Sequence, residues 1–151
     1  MTLVSFQKCR VCNSETIQTG YLYRCSSASC GAAHWDKSKV KRLAPDASEA
    51  IAAVLHEARV PGPLKGKKSH YVYVLRLRGE VNSVYVGMTG LHPYARYLNH
   101  LIGKRASRHA RRRATALVTF EGPMTRDAAV MREPAKAAEL QDRGCIVYGG
   151  H

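Results

Sequence analysis

Four cysteines in two close pairs, Cys9-x2-Cys12 and Cys25-x4-Cys30, constrain residues 1–40 more tightly than any other feature of the chain. A segment this short and polar cannot fold on an apolar core of its own. Two tight turns, each aiming two sulfurs at one point, meet the needs of a tetrahedral zinc site. Gly31, directly after Cys30, relieves the second turn, and Tyr21-Leu22-Tyr23 reads as a strand leading into it. The expectation is a zinc ribbon held by Cys9, Cys12, Cys25 and Cys30, with His34 able to replace one of the cysteines. Four protein ligands leave no open position, so this zinc is structural. Cys145 stands apart and reads as a small core residue.

The remaining chain alternates helical and strand signals. Pro45-Asp46-Ala47-Ser48 opens a helix with Asp46 or Ser48 as its cap, and Ala50, Ile51, Val54, Leu55 and Ala58 follow at helical spacing. Residues 61–69 hold proline, glycine and three lysines, which is linker composition. Tyr71–Leu75 and Val84–Val86 read as two strands of an antiparallel hairpin around the turn residues 78–82. Pro93 begins a helix that ends near Gly103. Ala116–Phe120 reads as a third strand. Thr125 or Asp127 caps a last helix that Gly144 stops, and Cys145–Tyr148 forms a short closing strand or tail. The predicted fold is α/β of the α+β type: a small antiparallel sheet flanked by helices, preceded by the zinc ribbon. The chain divides into a ribbon-like segment (1–44), a helix and basic linker (45–69), and an α+β domain (70–151).

Within that last domain, Tyr73 and Tyr85 lie on adjacent strands and can share a face if the register allows. Arg96 and His100 are four apart and share a helix face. Glu133 falls on the last helix. Singly, a strand tyrosine is a packing residue and Glu133 an ordinary surface acid. Together they form a set able to work on a phosphodiester. A guanidinium fork suits phosphate oxygens that gain charge in a transition state. A carboxylate suits Mg²⁺ or Mn²⁺, with most of the coordination left to water and phosphate.

The ordered set resembles a GIY-YIG nuclease domain over residues 70–150. Tyr71-Val72-Tyr73 stands where that family has Gly-Ile-Tyr, and Tyr85-Val86-Gly87 where it has Tyr-Ile-Gly. Met88-Thr89, Arg96-x3-His100, Glu133 and the tail Val147-Tyr148-Gly149-Gly150 follow in the family's order. The resemblance implies a divalent-metal-dependent DNA endonuclease with catalytic Tyr73, Tyr85, Arg96, His100 and Glu133, the last holding Mg²⁺ or Mn²⁺. It also implies that one tyrosine helps deprotonate or position the attacking water. Tyr73 is assigned that role and Tyr85 the orienting one.

Two departures stand out. Pro134 follows Glu133, so the helix is expected to kink or restart there; Glu121 and Glu139 are the fallback metal ligands. The family's asparagine near the last strand is missing, leaving its role unfilled or taken by His151.

Charge points to the same partner. The chain carries 24 Lys+Arg against 11 Asp+Glu, a net charge of +13. Residues 1–60 hold eight basic and five acidic residues; residues 61–151 hold sixteen and six. Seven of the basic residues lie between Arg96 and Arg113 with no acid among them. Lys104, Arg105, Arg108, Arg111, Arg112 and Arg113 are therefore expected to bind phosphates, fixing affinity and position but carrying little sequence information. No apolar run is long enough to span a membrane and no signal peptide is evident, so a cytoplasmic protein with reduced cysteines is expected. The alternative to the enzyme is a zinc-containing DNA-binding module with weak or no catalysis. One site nicks one strand, so a double-strand cut calls for a homodimer or two encounters.

Overall fold

A computed structural model describes residues 8–19, 21–27, 29–35, 47–57, 69–103, 109–110 and 113–150. Residues 61–68 of the predicted linker, the cap candidate Asp46, Lys104, Arg105, Arg108, Arg111, Arg112 and His151 lie outside them.

The fold is α+β. A three-stranded antiparallel sheet comprises β1 (Thr16–Thr19), β2 (Leu22–Cys25) and β3 (Ala33–Trp35) in that order. Helix α1 (Ala47–Glu57) follows. A second sheet, of order β6-β4-β5-β7, contains β4 (His70–Leu77), β5 (Ser83–Thr89), β6 (Ala114–Met124) and β7 (Ile146–Gly149). Helices α2 (Pro93–Ile102) and α3 (Arg126–Asp142) complete it. The β4–β5 hairpin and β6 pair antiparallel, as expected. The closing segment is a strand parallel to β5, with Val84 opposite Val147 and Tyr85 opposite Tyr148. A parallel neighbour needs a crossover between the two strands, and α2, β6 and α3 together provide it.

Local chemistry explains the helix ends. Pro93 occupies the first turn of α2, where a missing N–H costs nothing. The Nδ1 of His92 accepts from the Tyr94 N–H, 3.3 Å away, and makes His92 the N-cap. Gly103, at φ 74°, closes the other end by donating to the Asn99 and His100 carbonyls. Thr125 caps α3 by accepting from the Ala128 N–H at 3.2 Å, and Asp127 lies in the first turn. Ser48 is inside α1 and not its cap.

Helix α3 runs through Pro134 as one element, so of the two expectations, a kink or a restart, the restart does not occur. A proline inside a helix removes one backbone bond and costs about 3 kcal/mol. Here the turns on either side are clasped from outside: Arg132 bonds Glu139 at 2.6 Å, and Lys136 lies 3.8 Å from the same carboxylate. The buried stripe Ala129, Glu133 and Ala137 completes the anchorage.

Alternation along β4 divides the interior into two cores. Val72 and Val74 pack with Val84, Val86, Ala129 and Ala137, beneath α3. Tyr73, Leu75 and Leu77 face the other way, into a cluster with Leu98, Leu101 and Ile102 of α2 and Ile51 and Val54 of α1. Leu22 and Trp35, which are register partners on β2 and β3, belong to this same cluster. The ribbon therefore shares a core with the helices that cover Tyr73. Trp35→Ala is expected to destabilise the protein by about 3–5 kcal/mol, as for other buried tryptophans. Denaturant unfolding followed by circular dichroism reads the change. A loss below about 1 kcal/mol, the size of an ordinary substitution, would contradict the shared core.

Candidate active site and metal centre

The register of the β4–β5 hairpin builds the centre of the site. Tyr73 pairs with Gly87 and Leu75 with Tyr85, so both tyrosines project from the sheet face that α2 covers. A Cβ on Gly87 would stand 2.7 Å from the Tyr73 hydroxyl and 2.9 Å from the Tyr85 ring. The glycine of Tyr85-Val86-Gly87 thus leaves the space in which the Tyr73 phenol lies. The tail repeats the device: a Cβ on Gly149, whose φ is 74°, would meet the Val86 carbonyl and the Tyr85 ring.

Helix α2 brings Arg96 and His100 onto this pair. The Arg96 Nε donates to the Tyr73 hydroxyl at 3.2 Å. The His100 Nε2 lies 2.9 Å from the same oxygen. The Tyr85 ring meets His100 edge-on at 5.5 Å and Tyr73 at 6.2 Å. Arg96 has only protons to give, so the phenol oxygen accepts from it. The Tyr73 hydroxyl and His100 Nε2 share the second hydrogen bond; where the phenol donates it, the imidazole proton lies on Nδ1. That Nδ1 is buried and has no partner among the described residues. Tyr73 and His100 are both fully enclosed.

Burial sets the charge states. Desolvation pushes the Tyr73 phenol well above its ordinary value near 10, and the Arg96 guanidinium only partly offsets this. Desolvation, then the Arg96 charge, draws His100 down to about 3. At neutral pH the pair is a neutral phenol beside a neutral imidazole.

Glu133 comes from α3, in the stripe between Ala129 and Ala137, and is 7 % exposed. Its charge reaches Tyr73, adding to the upward push on the phenol. The fallback carboxylates are committed elsewhere: Arg132 Nε bonds Glu121 at 3.1 Å, and its terminal nitrogens bond Glu139 at 2.6 and 3.1 Å. A cation at either would displace Arg132.

Thr89, part of the sequence pattern, lies at the end of β5, accepts from the Leu91 N–H at 2.9 Å and fixes the turn into α2. One feature of the site was not read from the sequence. Tyr71, His92, Tyr94 and Phe120 form a ring cluster with centroids 5.1–6.1 Å apart. Tyr71 and Phe120 lie on two of the predicted strands, and the β4–β6 pairing that brings them together comes from the structure. Of the basic run, Arg113 is anchored. It donates to the His109 carbonyl at 3.3 Å and lies 5.4 Å above the Tyr148 ring. Tyr148 in turn stacks on His109 and donates to Glu80.

The four N-terminal cysteines converge, their sulfurs all within 4.8 Å of one another. Cys9 and Cys30 Sγ are 3.8 Å apart, and Cys12 and Cys25 Sγ 3.4 Å. A tetrahedron with Zn–S bonds of about 2.3 Å has edges of roughly 3.8 Å, so the set fits zinc. In each pair the first sulfur accepts from a backbone N–H two residues on: Val11 to Cys9 and Ser27 to Cys25, both at 3.4 Å. Such bonds favour thiolates. The set is complete without His34, whose Nε2 lies 3.6 Å from Cys9 Sγ. Cys145 packs at the margin of the valine core beneath α3.

No protein-family model, curated protein or solved structure matches the chain. No helix among the described residues is long and apolar enough to cross a membrane.

The buried imidazole has a consequence for acid stability. An exposed histidine takes up a proton near pH 6.5, whereas folded His100 does so only near 3. Between those values the unfolded chain binds the extra proton. This contribution to stability is complete above about pH 6.5 and is lost as pH falls toward about 3, at roughly 1.4 kcal/mol per unit. His100→Gln is expected to remove that slope from the variant's own profile, so that the difference between wild type and variant changes by roughly 1.4 kcal/mol per pH unit below about 6.5. Unfolding free energies measured between about pH 4 and 7 check it, and parallel pH profiles for the two proteins would contradict it.

Proposed function

We propose that this chain is a divalent-metal-dependent endonuclease of the GIY-YIG type, hydrolysing phosphodiester bonds in DNA. The observation that carries the reading is the Tyr73 hydroxyl held between Arg96 and His100 with Tyr85 alongside. The net charge of +13 makes a polyanion the fitting partner. The Cys9, Cys12, Cys25 and Cys30 site holds structural zinc in this reading.

Arg96 binds and orients the scissile phosphate and stabilises the charge that gathers on its non-bridging oxygens. Tyr73 positions the attacking water. With its raised pKa it does not work as a standing phenolate; it works as a relay. Once substrate binding opens the enclosed Tyr73 oxygen to water, the proton of the attacking water would pass to that oxygen while the phenol's own proton moves to His100 Nε2, 2.9 Å away. A phosphate beside the imidazole raises its proton affinity from the low resting value. Tyr85 lines the same space and orients the phosphate or the water. Glu133, buried on α3, would hold Mg²⁺ or Mn²⁺. A bound cation there would supply positive charge to the leaving oxygen.

The charge states also favour a second reading. A phenol and an imidazole that both resist ionisation suit a DNA-binding module that no longer cuts.

Nicking of supercoiled plasmid in Mg²⁺ or Mn²⁺ separates the two. Wild type should nick. Arg96→Ala should lose about 100-fold or more, the scale for removing a transition-state charge donor. Glu133→Ala should lose metal-dependent nicking while keeping salt-sensitive binding. Salt-sensitive binding without nicking by wild type selects the binding module. Nicking that survives both substitutions refutes the assigned site.

A further inference from the structure

The last strand carries a cluster that the proposed reaction does not use. Tyr148 of β7 is the register partner of Tyr85, so its ring leaves the sheet on the same face, one strand further out. The His109 ring stacks on it at 5.2 Å and 28°. The Arg113 guanidinium carbon lies 5.4 Å from the centre of the same ring, within the reach of a cation–π contact. The Tyr148 hydroxyl donates to Glu80 in the β4–β5 turn. As that acceptor, Glu80 also raises the Tyr148 pKa, so the phenol keeps the proton it donates. Three segments far apart in sequence thus meet on one ring: the hairpin turn, residues 109–113 and the last strand.

Arg113 is turned inward. Its terminal nitrogens donate to the His109 carbonyl at 3.3 Å and to the Arg78 carbonyl at 3.5 Å. Its backbone is held as well: the N–H donates to the Ala110 carbonyl at 3.0 Å, and the carbonyl accepts from the Arg78 N–H at 2.9 Å. Ala110 and Ala114 are enclosed in the same cluster as Tyr73, Leu98 and Leu101. A phosphate bound by Arg113 would have to displace these bonds and the ring contact. Five basic residues, Lys104, Arg105, Arg108, Arg111 and Arg112, lie in sequence between Gly103 and Arg113. The run is therefore tied at Gly103 to the helix that carries Arg96, and at Arg113 to the strand beside Tyr85.

We propose that Arg113 and Tyr148 form a positioning clamp that holds the end of the basic run beside Tyr85, and that the other basic residues of the run, not Arg113, bind the phosphates. The proposal rests on the nucleic-acid reading of the neighbouring site. It gives Arg113 a role other than the phosphate contact expected from the sequence, and it makes an uncharged ring decisive for an electrostatic interaction. A phosphate contact depends on charge, which lysine supplies as a point. A clamp depends on the planar fork and on the ring it covers, which lysine at position 113 and leucine at position 148 do not provide.

Fluorescence anisotropy with a labelled DNA duplex tests this on the intact zinc-loaded protein, with Ca²⁺ replacing Mg²⁺ so that nothing is cut. Binding is measured from about 50 to 200 mM salt, where each phosphate contact adds about 0.9 to the slope of log affinity against log salt. Arg113→Lys, with the net charge unchanged, should lose as much slope as Arg113→Ala, about 0.9 or more. Tyr148→Leu, which removes no charge, should lower the slope by a similar amount. The double variant of Arg113→Ala with Tyr148→Leu should bind no more weakly than the weaker single variant, because the two residues act as one unit; additive losses overturn the clamp. Circular dichroism under the same conditions separates unfolding from a loss of phosphate contacts, and if Tyr148→Leu does not fold, Arg113→Lys decides alone. A wild-type slope in Arg113→Lys, or in folded Tyr148→Leu, overturns the clamp and leaves the nucleic-acid reading standing. No salt-sensitive binding by wild type overturns both readings.

Discussion

The hydroxyl of Tyr73 depends on an absence. Gly87, directly across the hairpin, has no side chain, and the phenol occupies the space that a Cβ would take. Everything else at the site refers to that oxygen: the donor from Arg96, the acceptor on His100, and the Tyr85 ring beside both. The hairpin register puts Tyr73, Tyr85 and Gly87 on one face, and the α2 turn spacing puts Arg96 and His100 above them. Two periodicities, two residues in a strand and about four in a helix, thus assemble four side chains from two segments.

Burial makes this site rigid and also sets its chemistry. The cluster enclosing Tyr73 includes Leu98 and Ile102 from the helix that carries Arg96 and His100. It also takes in Trp35 and Leu22 from the ribbon. A metal held by Cys9, Cys12, Cys25 and Cys30 would stabilise those ribbon strands and, through Trp35, the packing of the helices over the site. The same enclosure raises the phenol's pKa and lowers that of the imidazole. Neither group ionises at rest, so their shared hydrogen bond matters more than either charge.

Much of this was legible in the residues. The Tyr71–Leu75 and Val84–Val86 alternation, Pro93 and Gly103 at the ends of α2, Thr125 and Gly144 around α3, and the spacing of the cysteines each stem from local rules that the fold obeys. What escaped was tertiary. Pro134 reads locally as a break, yet salt bridges and a buried stripe across its turns hold α3 together. Cys145–Tyr148 is too short to declare its partner; only the crossover through α3 sets it parallel to β5. The bulge at Val118 defeats strict alternation, so the shared face of Leu117 and Phe120 could not be read from β6 alone. Gly87 was legible as part of a pattern, and its function as room for a phenol was not.

The most direct measurement compares Gly87→Ala with Tyr73→Phe in plasmid nicking and salt-dependent DNA binding, with folding monitored by circular dichroism. A methyl group at position 87 should drive the phenol from its place between Arg96 and His100. The account predicts that Gly87→Ala remains folded, binds DNA as wild type does, and loses nicking as completely as Tyr73→Phe. Wild-type nicking by folded Gly87→Ala would contradict the claim that this oxygen, in this place, is the centre of the site.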